Sequence, residues 1–313
     1  MDLSSLSDPL DSLRTGRLLI VGYLPTAAAA IFVLILVWAG APMWLRHGDH
    51  LSFKHAWTVA ADLGAGEIVL LVVGVTLVAV VLAPLQLSMI RMLEGGWPRA
   101  LGSGAGLAVQ RWRRGRLEPR TILPDNRDAL TPVVVTEAGR AGARLRRRYP
   151  MPEHLMRPTA LGNALAAMED SAGRDYGLDA VIVWPRLYPV LGDKVRAMVD
   201  DRRDMMDAAG RMAVTAGLTT AVSIGLLVGA RWWILLALIP AGLAVVSYAG
   251  AVSAAVAYGE AVRSAFDLHR ADLLIALRLP APRNSGQEYR LNQELCAMWR
   301  QGVPMDVDYR EAK

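Results

Sequence analysis

Cysteine is almost absent from this sequence, because Cys296 is the single one among 313 residues. One thiol cannot form an intrachain disulfide, and it excludes every CxxC metal or redox motif. Lysine is also scarce, so the formal net charge of +5 is due to arginine. These absences exclude disulfide-stapled and zinc-ribbon proteins, and we expect Cys296 to be an unreactive thiol in a reducing compartment.

Charged residues are missing from four long apolar blocks. About 20 apolar residues cross a bilayer core as a helix, and none of the blocks contains Asp, Glu, Lys, Arg or His. Ionisable residues inside the membrane mark most proton relays and ion pathways, so their absence argues against a pump or a secondary transporter. The sequence predicts four transmembrane helices, within residues 18–45, 68–90, 212–230 and 232–258.

The first block also has features of a cleaved signal peptide. Arg14 and Arg17 precede it, and small residues occupy positions 39–41. However, its apolar run is longer than the roughly 7–15 residues of a signal core, and Pro42 would directly follow the cut. We therefore expect the first block to remain as a membrane anchor.

The placement of arginine predicts the orientation in the membrane. Residues 88–211 include 21 Lys and Arg, whereas the loop 46–67 has only Arg46 and Lys54. Loops rich in Lys and Arg stay in the cytoplasm. The sequence thus predicts a multi-pass protein of a bacterial inner membrane, with the N-terminus (1–17), the central segment and the C-terminus in the cytoplasm.

Residues 91–148 form a basic segment rich in Arg, Gly and Pro. Clustered arginines bind the phosphates of nucleic acid or of anionic lipids, where each basic residue near the surface contributes about 1 kcal/mol. We favour lipid over nucleic acid, because the clusters are tethered to a membrane and no nucleic-acid-binding motif accompanies them. The candidate head-group ligands are Arg111, Arg113, Arg114, Arg116, Arg144, Arg146, Arg147 and Arg148.

The rest of the cytoplasmic sequence has helical spacing. Thr159 is a candidate N-cap for a helix through Asp170, and no helix breaker separates Asp193 from the third apolar block. The predicted fold is therefore all-α and integral to the membrane. Two transmembrane hairpins, 18–90 and 212–258, flank the basic segment and a helical cytoplasmic domain over 149–211, and an amphipathic helix and tail follow over 259–313.

Two stretches carry a resemblance to a known family. They are PTALGNALAAMEDSAGRDYGLDAVIVWPRL at 158–187 and FDLHRADLLIALRLPAP at 266–282. Over roughly residues 150–285 the chain resembles an uncharacterised family of bacterial multi-pass membrane proteins, frequent in actinobacteria. The resemblance implies no activity, and only marks family-motif positions, among them Leu161, Gly162, Asn163, Glu169, Asp170, Tyr176, Gly177, Asp179, Trp184 and Pro185.

Carboxylates cluster within this motif, and a pair of them can serve as general acid and base. Glu169 and Asp170, however, are adjacent and point about 100° apart on a helix, and no His, Cys or Lys lies near them in sequence. We therefore predict no catalytic residue. Structural roles are favoured, with a partner site as the alternative, for which the candidates are Asn163, Glu169, Asp170, Tyr176, Asp179 and Trp184.

The outer loop holds three of the five histidines, His47, His50 and His55. Imidazoles near a carboxylate can bind zinc or copper, but the spacing matches no known template, so we predict no metal site. The GSGAG sequence at 102–106 lacks the GK[ST] ending of a phosphate-binding loop. No cofactor and no small-molecule substrate are predicted.

A stripe of small residues runs along the third apolar block, at Ala213, Gly217, Ala221, Gly225 and Gly229. Small residues at every fourth position let two membrane helices approach closely. Because the turn to the fourth block is very short, the first interpretation is a tight hairpin of the two helices. The alternative is a subunit interface.

Three functional hypotheses follow from the sequence. The first is a non-enzymatic scaffold or interaction protein, whose cytoplasmic helices bind a protein partner or a second copy of the chain. The second is an oligomeric channel or membrane-permeabilising protein with the small-residue helices at its axis. The third is a membrane-embedded enzyme that acts on lipid.

Overall fold

The computed structural model describes residues 9–41, 51–97, 102–126 and 130–305, with side chains from Leu24 onward except over 82–87. Within these ranges the chain is all-helical, with ten α-helices, several short 3₁₀ helices and no strand. It divides into two compact units. The first unit comprises residues 1–90 and 207–251, and the second unit comprises residues 91–206 and 252–313.

The first unit is built from long apolar helices. They are α1 (Pro9–Trp38), α2 (Phe53–Ala61), α3 (Ala65–Leu93) and the adjoining parts of α8 (Asp193–Leu227) and α9 (Leu238–Ala276), with a 3₁₀ helix at Arg231–Ala237. The predicted run without a break from Asp193 into the third apolar block is confirmed, because α8 is a single helix of 35 residues.

Two stretches of the described chain are long and apolar enough to cross a membrane, Asp193–Leu227 and Arg231–Ala276. A third is obtained if α2 and Ala65–Val81 are one broken span, although these helices are bent by 113°. In α1 the described apolar part is shorter, Leu24–Trp38. The described residues thus hold two or three candidate spans, a coarser result than the predicted four.

The bend between α2 and α3 lies in the predicted outer loop. Ser52 caps α2 by accepting the backbone N–H of His55, and α2 ends at Asp62. The Glu67 carboxylate then accepts the backbone N–H of Gly64 at 3.0 Å, at the start of α3. The predicted outer loop therefore contains the helix α2. The sequence predicts a loop here and no helix.

One end of the first unit is closed by a small apolar cluster. Three residues are buried together there, Leu36 of α1, Ala56 of α2 and Leu227 of α8. The ring centroids of Phe53 and Trp233 are 5.3 Å apart. The chain turns between α8 and the 3₁₀ helix through two left-handed residues, Gly229 at φ 89° and Arg231 at φ 49°.

The second unit is a bundle of shorter helices. They are α4 (Ser103–Leu117), α5 (Pro132–Arg148), α6 (Ala160–Ser171), α7 (Ala180–Leu187) and α10 (Ser285–Gln301), together with the remaining parts of α8 and α9 and 3₁₀ turns at Glu118–Thr121, Glu153–Leu155, Arg174–Tyr176 and Tyr188–Val190. The described parts of the basic segment 91–148 therefore include the helices α4 and α5 of this unit, which its composition alone does not predict.

Phe266 of α9 lies at the centre of the second unit. It is fully buried, as are Val183 and Leu187 of α7, and its ring stacks on Trp184 at 6.1 Å. Gly173, at φ 74°, lies just after the end of α6. A Cβ added to Gly173 would lie 2.8 Å from the Phe266 ring. This turn therefore accepts only glycine without a shift of the core.

The start of α6 is held by the predicted cap. The Thr159 hydroxyl accepts the N–H of Gly162 at 3.0 Å and donates to the carbonyl of Leu93 at 2.6 Å. Asn163 is fully buried, and its amide bonds both backbone groups of Arg157 and the carbonyl of Thr159. The prediction that Thr159 caps this helix is confirmed.

Candidate functional site

The second unit contains a cleft of about 740 Å³ with α10 as one wall. The opposite wall is formed by residues between His154 and Val181, a range that includes α6. The residues that line it are His154, Leu155, Met156, Arg157, Ala166, Glu169, Asp170, Arg174, Gly177, Leu178, Asp179, Val181, Tyr289, Gln293, Cys296, Ala297, Arg300 and Gln301. Three of the predicted partner-site residues, Glu169, Asp170 and Asp179, are thereby brought together.

Every carboxylate in this cleft is paired with an arginine. Glu169 accepts a hydrogen bond from Arg157 at 2.5 Å, Asp170 pairs with Arg174, and Asp179 pairs with Arg300. The Glu169 and Asp170 side chains are only partly exposed, so their pairs are screened less than fully solvated ones, whereas Arg300 is exposed. The cleft therefore presents three guanidinium–carboxylate pairs rather than an unpaired charge of either sign.

The wall formed by α10 depends on a close approach at Gly177. This residue has φ 77°, and an added Cβ would lie 2.6 Å from the carbonyl oxygen of Tyr289 in α10. Nearby, the buried Asn292 donates its side-chain N–H to the carbonyl of Tyr176 at 2.8 Å, and Arg270 of α9 bonds Glu288 at 2.8 Å. Helix α10 is thus fixed at its middle and near its start.

Cys296 lies on α10 at the base of the cleft, where its sulfur accepts the backbone N–H of Asp179 at 3.4 Å. Burial raises the pKa of the Cys296 thiol, although the Asp179 N–H opposes part of this effect. A thiol with a raised pKa remains protonated and is a weak nucleophile. Cys296 therefore acts as a packing residue and is not an activated nucleophile.

The other candidate partner residues have structural contacts in the second unit. The Tyr176 hydroxyl donates to Asp267 of α9 at 2.9 Å, a bond that raises the pKa of this tyrosine, and the Arg270 guanidinium covers its ring at 3.9 Å. Asp179 also caps α7 by accepting the N–H groups of Val181 and Ile182. Asn163 lies near the start of α6 and Trp184 lies beside Phe266. Neither residue lines the cleft.

The eight candidate lipid ligands lie on α4 and α5. Arg111, Arg114 and Arg147 form ion pairs with Glu153, Glu118 and Glu260. The remaining five are exposed, and none has a carboxylate partner among the described residues: Arg113, Arg116, Arg144, Arg146 and Arg148.

The small-residue stripe is not buried as a whole. Ala213 is buried, but Gly217, Ala221, Gly225 and Gly229 are exposed. Successive residues of a helix are about 100° apart, so a repeat of four advances about 40° at each step and winds around the helix. Four of the five members are therefore exposed in the single chain, and both the tight hairpin and the subunit interface remain predictions.

The three histidines are not brought together by the described structure. His47 and His50 lie outside the described residues, and His55 is exposed on α2. Within the described ranges, no group of three His, Cys, Asp or Glu side chains is placed to hold a metal ion.

The sequence predicts a helical tail in this part of the chain but not the bounds of α10, which supplies six residues to the cleft. Its start carries a signal, because Asn284 accepts the backbone N–H of Gln287 at 2.9 Å as an N-cap. Gly302, at φ 67°, ends the helix in the conformation of a glycine C-cap. An Asn and a Gly at these two positions are typical helix boundaries and would have identified α10.

Comparison of the chain with known protein families, with curated proteins and with solved structures gives no match. The resemblance to a bacterial membrane family accordingly stays a prediction, and the functional argument rests on the geometry of the cleft.

Proposed function

We propose that this chain is a non-enzymatic scaffold of a bacterial inner membrane, whose cytoplasmic cleft binds a segment of a protein partner. In this proposal four apolar helices anchor the chain, with both termini and the second unit in the cytoplasm. The arginine distribution supports this orientation, and the candidate spans in α8 and α9 support the anchoring.

The observation that carries the proposal is the composition of the cleft and its rim. Val181 is 61% exposed, Tyr289 41% and Leu155 39%, and the three ion pairs line the same cleft. Partly exposed apolar and aromatic side chains are typical anchors of protein–protein contacts. Arginine–carboxylate pairs can exchange partners with charged side chains of a bound segment, which provides specificity.

Catalysis has less support than binding at this cleft. Its carboxylates are each engaged by an arginine, and the raised pKa of Cys296 disfavours the thiolate. A catalytic pair requires a nucleophile or base that is activated by a neighbour.

The channel hypothesis also has less support. A wet lumen needs hydroxyls that face water, but Thr219 and Ser223 are buried in the single chain. Their hydroxyls donate to carbonyls of their own helix at 2.7 Å and 2.6 Å. Such bonds hold the hydroxyls against their own helix and away from a lumen along its exposed side.

The proposal is tested by photocrosslinking in living cells with the full-length protein. A benzoylphenylalanine placed at Val181, on the rim of the cleft, is expected to give a discrete adduct whose second component is identified by mass spectrometry. The same group at Leu268, which is 65% exposed on α9 and outside the cleft, is expected to give none.

Arg300→Glu should abolish the adduct, because it replaces the guanidinium beside Asp179 with a second carboxylate. Arg290→Glu is the matched control, since Arg290 is exposed on the same helix and does not line the cleft. An adduct of two copies of this chain would assign the cleft to self-association. No adduct at Val181, or equal adducts at Val181 and Leu268, would contradict the proposal.

A further inference from the structure

Helix α4 packs on the rest of the second unit through one face, and other positions of the helix are exposed among the residues that the structure describes. On the fixed face, Gln110 is buried and accepts the Tyr149 hydroxyl at 3.4 Å, and Arg114 donates to the carbonyls of Pro150 and Met151. Gly106 packs so closely that an added Cβ would lie 2.7 Å from Pro158. These three positions are four residues apart, so they hold the helix along its whole length.

The exposed positions of α4 combine apolar side chains with arginine. Val109 is 48% exposed and Trp112 56%, and Arg113 and Arg116 lie beside them at helical spacing. Beyond the helix end, Ile122 is 72% and Leu123 44% exposed. We call these six residues the α4 surface.

Arg116 is oriented by the tryptophan next to it. Its guanidinium carbon lies 3.8 Å from the centre of the Trp112 ring. Stacking uses the flat face of the guanidinium and leaves the N–H donors at its edge available for phosphate oxygens. Tryptophan itself prefers the boundary between lipid head groups and acyl chains.

The charge around the α4 surface is strongly positive. Residues 102–148 contain eleven arginines and four acidic residues. A surface of this sign attracts anionic membranes and nucleic acid alike. Exposed Val, Ile and Leu distinguish the two, because aliphatic side chains gain by entering a lipid boundary and find no comparable partner on a phosphate backbone.

We propose that the α4 surface binds the anionic lipid surface of a bilayer, with Trp112, Ile122 and Leu123 in the head-group boundary and Arg113 and Arg116 on lipid phosphates. This inference rests on the proposed membrane anchoring, but not on the protein-binding cleft. Incorporation of the chain into nanodiscs tests the anchoring separately from the binding of the surface.

The test uses full-length protein in nanodiscs whose lipids have brominated acyl chains, which quench a nearby fluorophore. Bimane is attached to Ile122→Cys in a Cys296→Ser background. Adding phosphatidylglycerol to phosphatidylcholine is expected to increase quenching by about twofold or more, and raising the salt concentration should reverse the increase. Bimane at Val303→Cys, outside the α4 surface, should not respond.

The double variant Arg113→Gln with Arg116→Gln should lose the response to phosphatidylglycerol. The matched control removes the same charge elsewhere, through Arg202→Gln and Arg203→Gln on the exposed side of α8, and should retain it. Equal quenching with and without phosphatidylglycerol would overturn the proposal. So would nuclease-sensitive nucleic acid that co-purifies with the protein and is lost in the Arg113 and Arg116 variant.

Discussion

Gly177 is the residue on which the wall of the cleft depends most directly. It has a left-handed backbone, and α10 approaches it so closely that an added Cβ would lie 2.6 Å from the Tyr289 carbonyl oxygen. Asp179, two residues later, caps α7 and pairs with Arg300. A short turn thus holds both the cap of one helix and the contact surface of another.

Gly177→Ala should therefore lower the stability of the second unit by about 1–3 kcal/mol, since the Cβ adds backbone strain and a clash with the Tyr289 carbonyl. Gly139→Ala is the control, because Gly139 is exposed in α5 with no described atom within 4 Å of an added Cβ, and it should stabilise by up to about 1 kcal/mol. The measurement is the thermal unfolding midpoint in detergent. Equal shifts in both variants would contradict the role of Gly177.

At the scale of elements, local signals predicted some helices and missed others. Thr159 supplied a hydroxyl cap that needs no tertiary information, so the start of α6 was predictable. Helices α4 and α5 are polar overall, and they are stabilised by contacts between distant residues, such as Gln110 of α4 with Tyr149 at the end of α5. Such contacts depend on the tertiary fold and are not encoded in a local pattern.

The small-residue stripe shows the same limit. A repeat of small residues predicts a close approach but not its partner, and the buried side of α8 includes Thr219, Ser223 and Leu227 instead of the glycines. Of the stripe only Ala213 is buried in the single chain, so the partner of the other four residues stays a prediction.

Substitution of the two faces of α8 by leucine should give opposite results. Gly225→Leu should change the thermal midpoint little, because Gly225 is exposed with no described atom within 4 Å of an added Cβ. Ser223→Leu should destabilise by about 1–3 kcal/mol, since Ser223 is fully buried and a leucine overpacks the site. A smaller assembly mass for Gly225→Leu alone would identify a subunit interface, and a large loss of stability in that variant would contradict this arrangement.

At the scale of the whole molecule, the two units differ in the surfaces they expose. The first unit exposes many aliphatic side chains, among them Leu70 at 72% and Val245 at 70%, as expected for contact with lipid. The second unit carries eight of the described ion pairs, as expected for contact with water. This contrast supports the proposed anchoring.

The proposed topology predicts which cysteines are accessible from outside the cell. In a Cys296→Ser background, Trp57→Cys on α2 should react with an impermeant maleimide in intact cells, since Trp57 is 76% exposed. Ser4→Cys and Val303→Cys should react only after lysis, because four spans place both termini in the cytoplasm. Labelling of Ser4→Cys alone from outside would indicate an odd number of spans, and external labelling of Val303→Cys would reverse the orientation.

The second unit is assembled from two separate segments of the chain, 91–206 and 252–313, and this affects the order in which parts of the fold form during synthesis. Its cleft joins Asp179 to Arg300, which are 121 residues apart, and α10 follows the long apolar helices α1, α3, α8 and α9 in the sequence. A chain that stops after α9 would contain these four helices and still lack one wall of the cleft. Contacts between such distant segments form slowly. During synthesis, the apolar helices are therefore complete before the cleft, and a prematurely terminated chain would lack the proposed binding site.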